Sequence, residues 1–368
     1  MSFVLVIQRY IPAYRVPLFN ALAERLVDED TQLLVAHRAP VGLQRARRDI
    51  APPQPWAQQV RGASLRLPGG LEPTWERVGP LTCRANAIVA PLGSTSLNSW
   101  ELLARYPEKT LLWGHGRSYV KKAGRLDSAL EKIMCKKAAH VLTYTERGRA
   151  SLLAQGFASS RVTAVGNSTD TNALLLLREQ TRDDTGPWRR RLRSDGPVAL
   201  FVGGLDSDKH IPMLLSAGRA AFGLDPSFRL VVAGSGRDSA LVAEAAREPW
   251  LVAVAQASQR DLAALSHVCS AVWMPGRVGL VAVDALALGL PVCTTRFPFH
   301  APEIDYLVEG ESVHFLSREP RAFARAALGV MGRRSSDCGG GAWGWSMPTV
   351  EEVASKMAAA IMSVVRRS

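Results

Sequence analysis

Short apolar runs rich in β-branched residues recur along this chain with helical patterns between them, and the alternation breaks once and then restarts. A strand that passes through a helix before the next strand needs a crossover connection, and such connections build parallel sheets covered by helices on both faces. In the first half the runs are Phe3 to Ile7, Gln32 to Ala36, Ala87 to Ala90, Thr110 to Trp113, His140 to Tyr144 and Val162 to Val165. They read as strands of one sheet. Between the first two, Val16 to Val27 sets Leu18, Phe19, Leu22 and Leu26 on one helical face.

From Leu177 to Gly196 the periodicity lapses into a polar stretch with Arg178, Arg182, Asp183, Asp184, Gly186, Pro187, Trp188 and Arg189 to Arg191. It reads as an interdomain connection. Strands then return at Val198 to Val202, Arg229 to Ala233, Leu251 to Ala255, Ala271 to Met274 and Pro291 to Thr294. Since 368 residues exceed what one core usually organises, two doubly wound α/β domains are expected. The expected boundaries are 1–178, a linker over 179–196, a second domain over 197–345 and a terminal helix over 346–368. That helix repeats Val353, Met357, Ile361 and Val364 after the glycine run Cys338 to Ala342, and is able to fold back on the first domain.

The first apolar run ends at Gln8 and Arg9, too short for a secretory leader. The longest later one, Val278 to Cys293, is interrupted by Asp284 and falls short of the roughly 18 to 20 residues of a membrane span. Five cysteines (Cys83, Cys135, Cys269, Cys293, Cys338) form no C-x-x-C pair, which speaks against a zinc site and a disulfide framework. A cytoplasmic location follows as the expectation. The net charge of +12 implies attraction to polyanions without choosing among them. No nucleic-acid-binding module or basic-aromatic RNA motif is visible, so that partner is not expected.

The segment Pro275 to Val292 places a glycine-bearing turn, Gly276-Arg277-Val278-Gly279-Leu280, between a strand and a helix. Backbone N–H groups at such a turn converge on one spot and suit a diphosphate, with glycine permitting close approach. Arg277 is a candidate for a charge-assisted contact and Asp284 for ribose hydroxyls; the plain alternative is a routine α/β turn. Lys209 follows the turn Val202-Gly203-Gly204-Leu205, either holding phosphates or solvated beside Asp206 and Asp208. Gly234 and Gly236 form a G-x-G turn after another strand. His115, flanked by Gly114 and Gly116, stands at the carboxyl end of a predicted strand, where ligand-binding residues of such sheets belong, the plain alternative being a structural histidine. The small neighbours are expected to leave room for a ring. Tyr14 and Arg15 follow the first strand, Arg15 either meeting an acceptor phosphate or pairing with a nearby acid; Arg117 is a further cleft candidate, and Glu303 either lines the cleft or caps a helix.

These segments, in order and spacing, resemble glycosyltransferase family 4. Val278-Gly279-Leu280 and Asp284-Ala285-Leu286-Ala287-Leu288-Gly289-Leu290-Pro291-Val292 match its Gly-Leu turn and its Glu-Ala-x-Ala-x-Gly-x-Pro-Val tail, with Asp284 for the second acid and Gly276 at the position of the first. A polysaccharide-assembling subgroup has a similar Pro-Gly-x-Val-Gly-Leu turn. Val202 to Leu205 with Lys209 is similar to the family's Val-Gly-Arg-Leu turn and following lysine, Gly204 standing for the arginine. Ala233 to Gly236, Val165 to Asp170 and Ala301 to Ile304 resemble further turns.

The resemblance implies the GT-B architecture, two Rossmann-like domains facing a central cleft. It implies retaining transfer of a hexose-type sugar from a nucleotide diphosphate sugar, without a bound cation, to a growing cell-surface glycan or lipid-linked acceptor. His115 would face the transferred sugar. Lys209 would act on the diphosphate, and Gly203, Gly204, Gly234, Gly236, Gly276, Arg277, Val278, Gly279, Leu280 and Asp284 would bind the donor, with Tyr14 and Arg15 toward the acceptor. No protein nucleophile is assigned. A natural-product glycosyltransferase and a non-catalytic sugar-nucleotide-binding or assembly protein stay open as alternatives. The basic segment Arg117, Lys121, Lys122, Arg125, Lys132, Lys136 and Lys137, with apolar Leu126, Leu130, Ile133 and Met134, reads either as a peripheral contact with anionic membrane or as an ordinary helix with solvated lysines.

Overall fold

The computed structural model describes residues 2–41, 51–67, 72–116, 125–337 and 345–367. The chain divides into two compact units, Met1–Asp170 with Pro348–Ser368, and Thr171–Met347.

The first unit is built on strands β1 (Ser2–Gln8), β2 (Thr31–His37), β3 (Ala57–Gln59), β6 (Ala87–Pro91), β7 (Thr110–Gly114), β8 (His140–Thr143) and β9 (Val162–Ala164), with β4 (Gly62–Ser64) and β5 (Thr74–Glu76) in a separate antiparallel hairpin. The main sheet is parallel, in the order β3-β2-β1-β6-β7-β8-β9, so the winding direction reverses between β1 and β6. Strands β1 and β6 are apolar almost throughout because helices cover both faces. The helix Val16–Val27 buries Leu18, Phe19, Leu22 and Leu26, the four residues on its apolar face.

Against that helix packs Val350–Val365, whose Val353, Met357 and Ile361 are fully buried in the same core. A capping box starts it: Thr349 Oγ1 accepts from the Glu352 amide at 3.2 Å while Glu352 Oε2 accepts from the Thr349 amide at 3.4 Å. The chain's return is fixed at Ser168, whose hydroxyl donates to the Pro348 carbonyl at 2.6 Å.

The second unit contains β10 (Val198–Val202), β11 (Arg229–Ala233), β12 (Leu251–Val254), β13 (Ala271–Met274), β14 (Val292–Thr295) and β15 (Val313–Leu316), paired in parallel in the order β12-β11-β10-β13-β14-β15. Its reversal lies between β10 and β13. Trp273 stacks on Phe228 with ring centroids 5.0 Å apart and meets Phe323 edge-on at 5.4 Å. Gly218, on the helix Ile211–Leu224, is needed for this core, since a Cβ there would lie 2.5 Å from the Trp250 ring.

The stretch read as a linker is structured. Thr171–Gln180 and Gly186–Leu192 are helices of the second unit, and Leu174, Trp188 and Leu192 are buried in its core. Two apolar residues one turn apart suffice to anchor the second of these helices, and their signal is masked by the arginines around them. The Arg191 side chain bonds the Ala253 carbonyl at 2.8 Å and crosses the Trp188 ring. Strands β3, β4, β5 and β15 were not expected from the sequence; all are three or four residues long, and β4 is exposed throughout.

Because Met357 is fully buried between the terminal helix and the first sheet, Met357→Ala should cost the first unit about 2–5 kcal/mol, whereas the exposed Val27→Ala should change little. Urea unfolding of the full chain checks this. An unchanged midpoint for Met357→Ala would show that the terminal helix carries none of that core's stability.

Candidate functional site

In the second unit, three glycine-bearing turns leave the carboxyl ends of β10, β11 and β13, the edge and switch point where open α/β sheets hold ligands. They are bound to one another. The Gly203 amide donates to Ala233 O and the Leu205 amide to Ser235 O, each at 3.0 Å, while the Asp238 amide returns to Leu205 O at 2.9 Å. A Cβ on Gly234 would run into the Gly203 carbonyl, and one on Gly236 would meet the Leu205 backbone at 2.8 Å. The G-x-G turn thus serves close backbone packing first.

The loop after β10 also meets the turn after β13. Asp208 O accepts from the Arg277 amide at 2.8 Å, and Lys209 Nζ donates to Arg277 O at 2.6 Å. Gly276 is the contact point: a Cβ there would collide with Asp208 O and lie 2.7 Å from Lys209 Cα. The position read as a missing acid is therefore one where no side chain fits beside this loop. At Gly204 a Cβ would be 3.0 Å from Asp206 Oδ2, so a carboxylate lies where a side chain would grow. Asp206-Ser207-Asp208 has D-x-D spacing, against the expectation that the sequence holds no such motif. Among the described residues no three His, Cys, Asp or Glu side chains gather to hold a metal ion.

Beneath the turn sits His300, which sequence reasoning did not single out. Its Nδ1 accepts from the Val278 amide at 3.1 Å and its Nε2 donates to Thr295 O at 3.0 Å. Burial, with Lys209 and Arg277 nearby, lowers its pKa and outweighs the bond to Thr295, so the ring is held neutral in one tautomer. Thr294 and Thr295 donate to Met274 O and Pro275 O at 2.6 and 2.8 Å, and the Ala301 amide to Val278 O at 2.8 Å. With Arg277 and Val278 N–H so engaged, the amides of Gly279, Leu280 and Val281 have no acceptor among the described residues. They stand at the start of the helix Val281–Ala287, on which Asp284 is half-buried. Glu303 is 4% exposed in the turn Pro302–Tyr306, which packs on that helix.

In the first unit the structure brings Tyr14, Arg15 and His115 into one cluster. Arg15, only 7% exposed, has its guanidinium carbon 4.6 Å from the Trp113 ring centroid, 5.4 Å from Tyr14 and 5.8 Å from Tyr144. His115 lies 5.1 Å from Tyr144, centroid to centroid. Trp113 and Tyr144 were read only as strand residues, because nothing in their spacing reveals a cation held among rings. Gly114 and Gly116 do not leave room for a ring. A Cβ on Gly114 would sit 2.6 Å from Leu92 Cβ, and Gly116, at φ +68°, is pressed against Thr143 and Gly148. Arg117, Lys121, Lys122 and the glycine run lie outside the described residues. On the helix Arg125–Lys137, Met134 and Cys135 are buried while Ile133, Lys136 and Lys137 are exposed. No helix among the described residues is long and apolar enough to cross a membrane.

Residues 196–332, which lie within the second unit, match the family model described as Glycosyl transferases group 1. No curated protein matches the chain in sequence. Solved structures share the whole fold. HepE of Anabaena in complex with UDP is 14% identical with a TM-score of 0.59, over 100% of this chain and 98% of that one. Sucrose-phosphate synthase of Thermosynechococcus elongatus is 16% identical with a TM-score of 0.59, over 99% and 95%. UDP-GlcNAc 2-epimerase of Methanocaldococcus jannaschii is 9% identical with a TM-score of 0.61, over 99% and 100%. The chain has the GT-B fold that these proteins share.

Gly276→Ala should destabilise the second unit by about 1–3 kcal/mol through overpacking against the 206–210 loop. Gly279→Ala, whose Cβ would meet only Ala301 Cβ at 3.7 Å, should be tolerated; equal melting temperatures for the two variants would contradict the close approach. Burial, reinforced by Asp127, raises the carboxyl of Glu131 to about 7. A raised pKa in the fold means that its contribution to stability is present below the ordinary value of 4.5 and lost as pH rises through about 7. Glu131→Gln should therefore gain on the parent in denaturation midpoint as pH rises through that window, and parallel curves would refute this.

Proposed function

We propose that this chain, whose second unit carries a group 1 glycosyltransferase domain in a GT-B fold, transfers a hexose-type sugar with retention from a nucleotide diphosphate sugar to a glycan or lipid-linked acceptor. The observation that carries this reading is the joining of the β10 and β13 turns through Lys209 and Arg277. It sets an ammonium beside a turn whose last three amides are open to an acceptor. A diphosphate there would meet Gly279, Leu280 and Val281 N–H and the Lys209 ammonium. As the bond from sugar to diphosphate breaks, negative charge grows on the leaving oxygens, and donors fixed beforehand stabilise it without reorganisation.

The GT-B fold alone also fits a 2-epimerase, so the choice of transfer rests on the family match over the second unit. HepE has been captured with UDP-glucose, and a donor of that chemistry suits this site. Among the first unit's groups, His115 is the candidate that faces the transferred sugar, and Arg15, held by three rings, offers a cation to an acidic or phosphorylated acceptor. The subgroup that assembles cell-surface polysaccharide from the cytoplasmic face of the membrane is the one the Pro275–Leu280 turn resembles, and no cofactor is required.

Lys209→Ala should lower transfer by roughly 10² or more, the scale of losing one preorganised donor. His115→Ala should impair transfer more than nucleotide binding. Turnover assays beside calorimetry with UDP-, GDP- and dTDP-sugars check both; unchanged turnover removes Lys209 from the mechanism, and equal losses for His115→Ala make that residue structural. Activity should persist in EDTA, and its abolition would show that the reaction needs a cation.

A further inference from the structure

The β4–β5 hairpin presents an outer face that nothing in the proposed transfer uses. Its register pairs Gly62 with Glu76, Ala63 with Trp75 and Ser64 with Thr74. Thr74 and Glu76 are each 2% exposed and turn inward, Glu76 pairing with Arg38 at 3.1 Å, so Trp75 between them turns outward and is 40% exposed. By the same alternation Ala63 and Leu65 share that outer face, and Leu65 is 63% exposed. The Leu65 amide bonds Pro73 O at 3.1 Å, which adds Pro73 beside it. At the other end the Arg77 amide donates to Arg61 O at 2.8 Å, setting two exposed arginines opposite each other on this face.

Like charges directly across a strand pair repel. Neither arginine has a carboxylate within ion-pair distance among the described residues. The inner face is anchored, since Asn98 bonds both the amide and the carbonyl of Glu76, at 2.6 and 2.8 Å, and a Cβ on Gly62 would collide with Arg38. The exposed strip is therefore held in place: apolar at Leu65, Pro73 and Trp75, with a pair of guanidinium groups at its base that has no carboxylate partner among the described residues.

We propose that this outer face docks the first unit on an anionic lipid surface, with Trp75 and Leu65 in the interfacial layer and Arg61 and Arg77 on lipid phosphates. Leucine and tryptophan beside arginine is the composition of interfacial anchors, and anionic headgroups supply counter-charge to the Arg61/Arg77 pair. This extends the membrane part of the functional reading to the hairpin, apart from the 125–137 helix, whose Met134 and Cys135 are in the core.

Co-sedimentation of the full chain with phosphatidylglycerol-containing vesicles and with phosphatidylcholine vesicles tests it. Binding should require the anionic lipid, and Arg61→Glu with Arg77→Glu should weaken it by roughly tenfold or more. Leu65→Ser with Trp75→Ser should weaken it too, whereas Lys136→Glu with Lys137→Glu should do so far less. All four positions are exposed, so melting temperature and thermal stabilisation by UDP should match the parent, separating this proposal from the donor site. Absence of binding to anionic vesicles overturns it, as does binding that the hairpin variants leave unchanged. Loss in the arginine variant alone, with soluble polyphosphate competing as well as vesicles do, would also overturn it by showing a polyanion site.

Discussion

The contact between Gly276 and the backbone of Asp208 and Lys209 is the constraint on which the candidate site depends. Two loops that leave adjacent strands at the reversal of the second sheet can touch only if neither places a side chain between them. Once they touch, Arg277 N–H and O are both taken, by Asp208 O and Lys209 Nζ, and the turn cannot swing away from the lysine. His300 and the two threonines brace it from below. Amides and ammonium fixed in this way before a ligand arrives are the kind of arrangement that stabilises charge appearing during a reaction, because no further ordering has to accompany the charge.

The first unit solves a different problem, that of burying a cation. Arg15 loses water on entering its site and recovers part of that loss from the faces of Trp113, Tyr14 and Tyr144. Its position follows from the short turn after β1, where the Arg15 amide bonds Pro12 O at 3.0 Å before the helix Val16–Val27 begins. That helix is clasped in turn by the terminal helix, so the last residues of the chain support the loop in which Tyr14 and Arg15 stand.

Periodicity revealed the elements whose neighbours do not matter to their identity. Val16–Val27 shows its buried stripe in the sequence, and the apolar runs of β1, β6, β10 and β13 are buried strands whatever they pair with. It failed where pairing decides. Gly62-Ala63-Ser64 becomes a strand only because Thr74-Trp75-Glu76 lies beside it, and the helix Gly186–Leu192 joins the second unit through two apolar residues hidden among arginines. In the site, the turns were legible as glycine-bearing segments at strand ends, while their mutual contacts were not. Gly276 looked like a lost acid and is a close approach; Gly114 and Gly116 looked like open space and are filled by Leu92, Thr143 and Gly148. His300 stands in no motif, and only its two bonds reveal it.

Hydrogen exchange on the full chain with and without saturating UDP tests the central claim most directly. New protection is expected at the amides of residues 279–281 with slowed exchange in the 203–210 loop, both lost together in Lys209→Ala. Binding of UDP with protection confined to other segments would contradict it.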